Sequence, residues 1–425
     1  MNDYSKHIAI IGGGIAGLSL GCFLLRKDIQ PIIFERSSQI REGGAGISIS
    51  PNAINLLDKI NLKKSLSNEG FLPEKINFLD EDQPITSIDS RVCCISREKL
   101  VSILYKKFIE LGGKVIFNHE YISFDSDSKI LNFKNDQSYR VLHLAACDGI
   151  KSKIRDNFFD TGKPVYSGYS AWRCIGQNPH KDAYLQLSSN KHLVLYPITN
   201  SLSSFVGCIK TTKENNESWI AEGSIDELVQ DIGFMSDNHK ETVHSSNKHL
   251  VLYPITNSLS SFVGCIKTSK ENNESWIAEG SIDELIQDIG FMSDNHKETV
   301  HSAKKFFRWG IYTRPLLKKY FAKNITLFGD AAHPIVPFLG QGGCLAIEDG
   351  YSFAKLLSDI GNLEDTQNSY ERIRKPRVKM ITRLSKEQAL HNHISNPLLK
   401  KTRNLLMSKT PIIDKQMDRI YKFEL

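Results

Sequence analysis

The sequence predicts an α/β protein with two domains and a helical C-terminal segment. Three observations support this prediction: a strand, glycine turn and helix near the N-terminus, short apolar runs between about residues 165 and 305, and a helical, basic pattern from about residue 366. A chain of 425 residues is long enough for two domains. We therefore expect a parallel α/β domain, a mostly antiparallel sheet and a helical cover.

The first element is half of a mononucleotide-binding unit. Residues 7–11 form an apolar strand, Gly12, Gly14 and Gly17 shape the following turn, and Glu35 ends the next strand. In such a turn the first glycine permits a tight bend, the second lets backbone N–H groups approach a pyrophosphate, and the third allows close helix packing. Positive potential at the helix start favours the phosphates, and Glu35 would accept hydrogen bonds from ribose hydroxyls. The unit predicts a bound dinucleotide, either NAD or FAD.

The next stretches separate the two predicted domains. Residues 99–118 repeat the alternation of helix and strand, which continues the parallel α/β domain. Residues 192–198 and 205–209 are short apolar runs bounded by turn residues, which is typical of antiparallel strands. We therefore place a mostly antiparallel second domain between about residues 165 and 304.

A tandem duplication lies inside this second domain. Residues 188–244 recur as residues 245–301, and the two copies of this 57-residue unit differ only at Thr212/Ser269 and Val229/Ile286. A solenoid needs three or more stacked units, so two near-identical copies within a longer chain indicate a recent segmental duplication or an error in the assembly of the sequence. Each copy holds a hairpin-like pair of runs and a capping-box helix start, Ser224 to Glu227 or Ser281 to Glu284. Only one copy can fill one position in the sheet.

The C-terminal segment is basic. Residues 371–425 hold 14 Lys and Arg against 5 Asp and Glu, and Pro376, Pro397 and Pro411 are expected to break the helical pattern. A solvated helical face is the simplest interpretation, and weak peripheral contact with an acidic membrane surface is the alternative. No aromatic interleaving or nucleic-acid motif accompanies the charge, so we expect no nucleic-acid partner.

The compartment is predicted from what the sequence lacks. The eight cysteines show no metal-type spacing, and several sit in apolar runs, as small core residues do in a reducing compartment. The segment after Met1 shows no basic-then-apolar signal, and no run reaches the roughly 18 apolar residues of a membrane-spanning helix. We expect a cytoplasmic protein that binds no metal and does not cross a membrane.

A second motif distinguishes between the two dinucleotides. Residues 325–328 form an apolar strand, and residues 329–334 read GDAAHP. Pro337, the glycines of residues 340–343 and a Glu–Asp pair at residues 348–349 follow. An acid at a strand end, a proline-bearing loop and glycines opening a helix can bind a polyol chain and direct a helix N-terminus at a ring. A ribityl chain and a flavin ring meet these requirements, which favours FAD.

These motifs resemble the class A flavoprotein monooxygenases, the para-hydroxybenzoate and salicylate hydroxylase group, and the resemblance covers nearly the whole chain. It implies that Asp330 contacts the ribityl chain and that the helix starting near Gly342 and Gly343 stabilises negative charge on the reduced ring. Residues 147–155, CDGIKSKIR, are similar to the DGxxSxxR segment that the family associates with FAD and NAD(P)H. The remaining FAD contacts implied by the turn and the resemblance are Ile15, Ala16, Arg36, Gly46, Arg97, Asp148, Pro337 and Gly340.

The resemblance also implies roles for two arginines near the flavin. Arg97 matches the family's FAD-contacting arginine, although an arginine at a helix start is more often a solvated charge. Arg173, in the strand that enters the substrate domain, is the candidate catalytic residue facing the flavin, with a surface ion pair as the alternative. Arg155 could face an anion, and Tyr196 or its duplicate Tyr253 matches a strand near the pocket.

The implied fold is a discontinuous Rossmann-like FAD-binding domain with an inserted substrate domain. The predicted segments are residues 1–72, 93–164 and 305–365 for FAD binding, 73–92 and 165–304 for the substrate domain, and 366–425 for the helical C-terminus.

The implied reaction uses NADH or NADPH to reduce FAD, and O2 then forms a flavin C4a-hydroperoxide that hydroxylates or epoxidises a small aromatic or polyene substrate. The cofactor carries this chemistry, so no side-chain nucleophile is expected, and His333 is expected to serve structure rather than act as a base. One alternative is another flavin enzyme on the same fold; a halogenase is disfavoured because Trp172 is followed by Arg173 and Cys174 rather than by the WxWxIP motif. The other alternative is an FAD-binding protein whose catalysis the duplication impairs.

Overall fold

The computed structural model describes residues 2–40, 46–80, 83–159, 161–177, 181–188, 191–210, 248–256, 259–266 and 307–423. The strands, in chain order, are β1 (Asn2–Ile11), β2 (Pro31–Phe34), β3 (Gly46–Ile49), β4 (Lys75–Asp80), β5 (Gln83–Asp89), β6 (Cys93–Ser96), β7 (Val115–Ile116), β8 (Tyr121–Asp125), β9 (Ile130–Phe133), β10 (Ser138–Ala146), β11 (Val165–Gln177), β12 (Ala183–Ser188), β13 (Lys191–Pro197), β14 (Leu202–Lys210), β15 (Lys248–Thr256), β16 (Leu259–Ile266), β17 (Phe307–Thr313), β18 (Phe321–Ala322) and β19 (Ile325–Leu327). The α-helices are α1 (Ile15–Leu25), α2 (Pro51–Asp58), α3 (Lys63–Glu69), α4 (Arg97–Glu110), α5 (Lys153–Phe158), α6 (Gly342–Ile360), α7 (Leu363–Asn392), α8 (Pro397–Lys409) and α9 (Ile412–Tyr421).

The first sheet has the Rossmann-like parallel core that the sequence predicts. Its order is β18-β19-β10-β1-β2-β7, with β1 parallel to both β10 and β2, and β8 and β9 added beside β10. The central strands are apolar and buried, as expected for strands that are covered on both faces. Helix α1 packs closely against α4 and α6, because a Cβ at Gly21 would lie 2.6 Å from Phe108 and one at Gly350 would lie 2.9 Å from the Leu20 nitrogen.

The second sheet is mostly antiparallel, also as predicted. Its order is β17-β11-β14-β13-β12-β4-β5, and only the pair of β12 and β4 is parallel among its described strands. Strands β4 and β5 come from residues 75–89 and the others from residues 165–313, so the chain enters this sheet twice.

The structure places the first copy of the duplication in the second sheet. Its hairpin, β13 and β14, lies between β12 and β11, whereas the corresponding hairpin of the second copy, β15 and β16, forms a separate two-stranded sheet. The internal register is the same in both hairpins, with His192 opposite Cys208 and His249 opposite Cys265. The two predicted capping-box helix starts lie outside the described residues.

The C-terminal segment is helical, but one expectation about its prolines is wrong. Pro376 does not break the pattern, since it lies inside the 30-residue helix α7, while Pro397 starts α8 and Pro411 caps α9. Most of the basic residues are exposed, as a solvated face requires, whereas Arg374, Arg377 and Arg403 are buried. Buried ion pairs on both sides of Pro376 join α7 to Glu348 of α6. Within the described residues, no helix combines the length and the apolar composition required to span a membrane.

Candidate active site

A cavity of about 750 Å³ lies where the two sheets meet the C-terminal helices. The carboxyl ends of β1, β10 and β19 open onto it through Gly14, Cys147 and Phe328. The second sheet contributes Tyr196, and helices α7 to α9 close the far side. Parallel α/β sheets bind their ligands at this edge, beyond the carboxyl ends of the strands.

The glycine turn has the shape that a pyrophosphate site needs. Gly12 has φ +106°, and a Cβ there would lie 2.6 Å from the Cys147 carbonyl oxygen. A Cβ at Gly17 would lie 2.0 Å from the Gly12 oxygen, so α1 can approach the turn this closely only with glycine. A Cβ at Gly14, in contrast, would meet nothing within 4 Å. The backbone of Gly14 therefore borders open space at the start of α1, beside Ile15 and Ala16 in the cavity wall.

Glu35 holds the turn in place. Its Oε2 accepts a hydrogen bond from the Gly13 backbone nitrogen at 2.8 Å, and its Oε1 accepts one from the Ser37 nitrogen at 2.9 Å. The sequence did not reveal this role, although each oxygen keeps a lone pair for a ribose hydroxyl. Glu35 is half-buried, Arg36 is exposed, and both lie outside the wall of the cavity. Their contacts with an adenosine moiety stay a prediction.

Asp330 and Arg97 come together at the cavity wall. Asp330 lies in a 3-10 turn, Gly329–Ala331, directly after β19, and Arg97 is the first residue of α4, capped by Ser96. The protein surrounding Asp330 raises the pKa of its carboxyl group, while the charges of His333 and Arg97 act in the opposite direction. Because Asp330 is exposed to the cavity, a ligand that fills the space would complete its desolvation.

The loop before α6 directs a helix N-terminus into the cavity. Pro337–Leu339 forms a 3-10 turn, and Gly340 follows with φ +64°, where a Cβ would lie 2.8 Å from Ser48 Oγ. Helix α6 then begins at Gly342, where a Cβ would meet nothing within 4 Å, whereas one at Gly343 would lie 2.9 Å from Ile47. A helix N-terminus carries roughly half a positive charge, so this end of α6 favours an anionic group in the cavity.

Gly46, at the start of β3, contacts the first copy of the duplication at the wall of the cavity. Its backbone nitrogen donates a hydrogen bond to Ser204 Oγ at 3.1 Å, and a Cβ at Gly46 would lie 2.5 Å from the Ser204 Cβ. Tyr196 is within reach of the same position, at 2.8 Å. Glycine is therefore required where β3 meets the first copy of the duplication.

The segment around Asp148 departs from one expectation. Arg155 does not face an anion, because its guanidinium donates hydrogen bonds to the carbonyl oxygens of Ala331, Ala332 and Pro315 at 2.9–3.2 Å. It is fully buried and thus anchors the loop that carries Asp330. Asp148 lies at the base of α5, and burial raises its pKa to about 6. Its Oδ1 is buried without a hydrogen-bond partner in the described part of the chain, and Asp148 lies outside the wall of the cavity, so its contact with FAD stays a prediction.

A buried ionic cluster supports the cavity from beneath. Arg374 donates hydrogen bonds to Glu348 and Asp349, each at 2.7 Å, and Arg377 donates to Glu348 at 2.7 Å. His333 lies 2.6 Å from Asp349, which also accepts from the Gly329 nitrogen at 2.9 Å. His333 therefore has the expected structural surroundings. The two arginines were missed, although their i, i+3 spacing places them on one face of α7.

These features fit FAD. The open glycine turn suits a pyrophosphate, the Asp330 carboxylate suits ribityl hydroxyls, and the N-terminus of α6 suits a ring that becomes negatively charged on reduction. All three face one cavity. Arg173 lies in β11, opposite Val206 of β14 and Phe307 of β17, but its side chain is outside what the structure describes, so its catalytic role stays a prediction.

Comparison with known proteins identifies the family. The family described as FAD binding domain matches residues 5–385. The 3-amino-4-hydroxybenzoate 2-monooxygenase PtmB3 of Streptomyces platensis is 24% identical over 100% of this chain and 98% of its own length. Salicylate hydroxylase of Pseudomonas putida is 24% identical over 95% of this chain and 90% of its own.

The chain belongs to the class A FAD-dependent aromatic monooxygenases.

The fold agrees with that of solved flavoproteins. The crystal structure of Klebsiella pneumoniae HpxO complexed with FAD and uric acid has a TM-score of 0.72 and 17% identity, and the match covers 98% of this monooxygenase and 96% of HpxO. The predicted family, fold class and FAD cofactor of the monooxygenase are therefore confirmed. The division of the chain into numbered domain segments stays a prediction.

Proposed function

We propose that this monooxygenase uses NADH or NADPH and O2 to hydroxylate an electron-rich aromatic substrate. The observation that carries the proposal is that one cavity joins two environments. The glycine turn, Asp330, Arg97 and the start of α6 form a polar end, and side chains such as Val206, Phe338 and Met407 form an apolar end. The names of the relatives, which are hydroxylases and monooxygenases of substituted benzoates, favour this reaction.

The residues that would hold FAD follow from the fit described above. The proposed contacts are Gly12, Gly14, Ile15, Ala16, Gly17, Glu35, Arg36, Gly46, Arg97, Asp148, Asp330, Pro337, Gly340, Gly342 and Gly343. Bound FAD supplies the redox chemistry by which O2 is activated. Around it the protein excludes water, because helices α7 to α9 cover the apolar end of the cavity. The positive end of α6 stabilises negative charge at the cofactor.

The experiment that tests the proposal begins with the absorbance spectrum of the purified protein. NADH and NADPH oxidation is then followed with and without a panel of phenolic compounds, together with hydrogen peroxide release. Oxidised-flavin absorbance, substrate-stimulated oxidation and a hydroxylated product support the proposal. Absence of bound flavin after reconstitution with FAD would overturn it.

A catalytically impaired protein is the second candidate, because the duplicated hairpin β15–β16 lies outside the second sheet. The placement of the first copy between β12 and β11 argues against impairment, since that position is filled. Bound flavin without any stimulation by the phenolic panel would favour impairment over hydroxylation.

A further inference from the structure

The apolar end of the cavity has a corner that combines a hydrogen-bond acceptor with a hydrogen-bond donor. The corner is formed by His192 of β13, together with Asn392 and His393 at the C-terminal end of α7. His192 and Asn392 line the cavity. His192 also packs beside Phe338, which belongs to the turn preceding the start of α6, with 5.4 Å between ring centroids. The corner therefore lies close to the polar end where FAD would bind.

The tautomers of the two histidines can be assigned from their partners. His393 Nδ1 lies 2.7 Å from the Ala389 carbonyl oxygen, which can only accept, so Nδ1 carries the hydrogen. Burial lowers the pKa of His393 to about 4, and burial together with His393 lowers that of His192 well below its usual value. Both rings are neutral at pH 7, which makes His393 Nε2 an acceptor.

The tautomer of His192 follows from that of His393. His192 Nδ1 lies 3.0 Å from His393 Nε2, so His192 Nδ1 must be the donor of this hydrogen bond. The remaining nitrogen of His192, Nε2, consequently keeps an unprotonated lone pair. His393 is held in turn by the Ala389 carbonyl and by Tyr169, which stacks on it at 4.9 Å. His192 thus presents a fixed, uncharged acceptor.

Asn392 supplies the complementary donor. A chain of amides runs across the wall, in which Gln416 donates to Gln388 at 3.3 Å and Gln388 donates to Asn392 Oδ1 at 2.7 Å. Asn392 Nδ2 has no hydrogen-bond partner within the described residues, although the residue is only 1% exposed. A buried N–H group without a partner costs about 1–3 kcal/mol, which a ligand oxygen would recover.

Among the described side chains, the rest of this end of the cavity offers an anion no uncompensated cation. Among the described side chains of the wall, the charged ones are Arg97, Asp330 and Arg403. Arg97 and Asp330 belong to the proposed FAD site. Arg403 is compensated by Asp80, at 3.2 Å, and donates to the His391 carbonyl oxygen at 3.1 Å. A substrate carboxylate would lose its hydration without gaining an uncompensated cation among these groups.

We propose that the cavity takes an uncharged, hydroxylated aromatic substrate, whose hydroxyl group donates to His192 Nε2 and accepts from Asn392 Nδ2. This inference rests on the proposed function and narrows its substrate class. It differs from the benzoate carboxylates named for the relatives. His393 is a positioning residue that fixes the tautomer of His192.

The test uses the FAD-loaded protein and three naphthalene probes, with the change in flavin absorbance as the binding signal. The probes are 2-naphthol, 2-methoxynaphthalene, which lacks the donor hydrogen, and 2-naphthoate, which is anionic. We expect 2-naphthol to bind about tenfold more tightly than either of the other two, since one neutral hydrogen bond contributes about 1 kcal/mol and its loss leaves buried groups unpaired. Tighter binding of 2-naphthoate would overturn the proposal.

The duplication offers a matched control variant. His192→Phe keeps a ring of similar size but cannot accept a hydrogen bond, and it is expected to weaken 2-naphthol binding about tenfold while leaving 2-methoxynaphthalene binding unchanged. His249→Phe makes the same change at the equivalent position of the second copy and is expected to alter neither. Equal losses in the two variants, or no loss with His192→Phe, would overturn the assignment.

Asn392→Leu provides an independent check. It removes the unpartnered donor, so weaker 2-naphthol binding is expected, while any lower thermal unfolding midpoint reports the hydrogen bond from Gln388 that is lost as well. Unchanged 2-naphthol binding in this variant would remove Asn392 from the proposal. Because binding is read without turnover, failure of these tests with flavin bound and NAD(P)H oxidised would reject the substrate class alone. A protein that binds no flavin would reject the proposed function itself.

Discussion

The buried ion pairs of Glu348 are expected to contribute more to the free energy of unfolding than an exposed ion pair on the same helix. Glu348 accepts hydrogen bonds from Arg374 and Arg377, and its side chain is completely buried. Glu348→Gln leaves two buried guanidinium groups with only Asp349 as a carboxylate partner. We expect the free energy of unfolding to fall by about 3–5 kcal/mol, measured by urea denaturation, because breaking a buried ion pair leaves an uncompensated charge.

Asp359→Asn is the control on the same helix. Asp359 pairs with Lys355 at 2.6 Å, and both side chains are substantially exposed. Exposed pairs contribute about 0–1 kcal/mol, so only a small loss is expected. Similar losses in the two variants would contradict the importance assigned to burial.

Asp148 makes the stability of the protein depend on pH. Burial raises its pKa from 3.8 to about 6 in the folded protein. Between these values the unfolded chain releases the proton while the folded chain retains it, so stability falls as pH rises from about 4 to about 6 and then levels off. In FAD-free protein, Asp148→Asn is expected to flatten this part of the profile of unfolding midpoint against pH. A profile of unchanged slope would disprove the contribution of Asp148.

At the level of elements, the two hairpins are expected to respond differently to the same substitution. Leu195 in β13 is 3% exposed within the second sheet, whereas Leu252 is its equivalent in β15. Leu195→Asp buries a charge, and we expect it to destabilise the protein by about 4 kcal/mol or more and to reduce its FAD content. Leu252→Asp is expected to leave both nearly unchanged. Loss only in the double variant would mean that the hairpins exchange places.

Local elements could be predicted from the sequence, and contacts between distant elements could not. The turn after β1 was predictable because a Cβ at Gly17 would meet the Gly12 oxygen within the same turn, and the positive φ of Gly12 is a local requirement. The docked copy was not, since the two hairpins have identical sequences. The physical difference is distance along the chain: β12 ends at Ser188 and β13 begins at Lys191, so the first hairpin closes at a smaller entropic cost than β15 would.

The same limit applies to the candidate site. Asp330 and Gly342 could be proposed from one motif, because strand, loop and helix follow each other directly. The pairing of His192 with His393 joins the second sheet to α7 across 201 positions of the chain. Helix α7 continues through Pro376, where Arg374 and Arg377 bind α6, and a proline in the sequence does not reveal such contacts.

For the whole molecule, the second copy of the duplication is expected to be dispensable. Deleting residues 245–301 keeps the described strands of the second sheet and shortens a chain excursion between β14 and β17. We expect the shortened protein to bind FAD and to hydroxylate the same substrates. It is also expected to unfold at an equal or higher temperature, because closing a shorter loop has a smaller entropic cost. Loss of flavin or of activity would show that the second copy contributes to the fold.

The undocked hairpin also has a consequence for the evolution of this gene. Substitutions in β13 and β14 would disturb the second sheet and the cavity, whereas β15 and β16 pair only with each other among the described strands. The two copies still agree throughout their hairpins and differ only at Thr212/Ser269 and Val229/Ile286. In a collection of descendant alleles, amino-acid replacements are therefore expected to accumulate in residues 248–266 before they appear in residues 191–209. Comparing the two copies within one gene would therefore show how much replacement the second sheet prevents in β13 and β14.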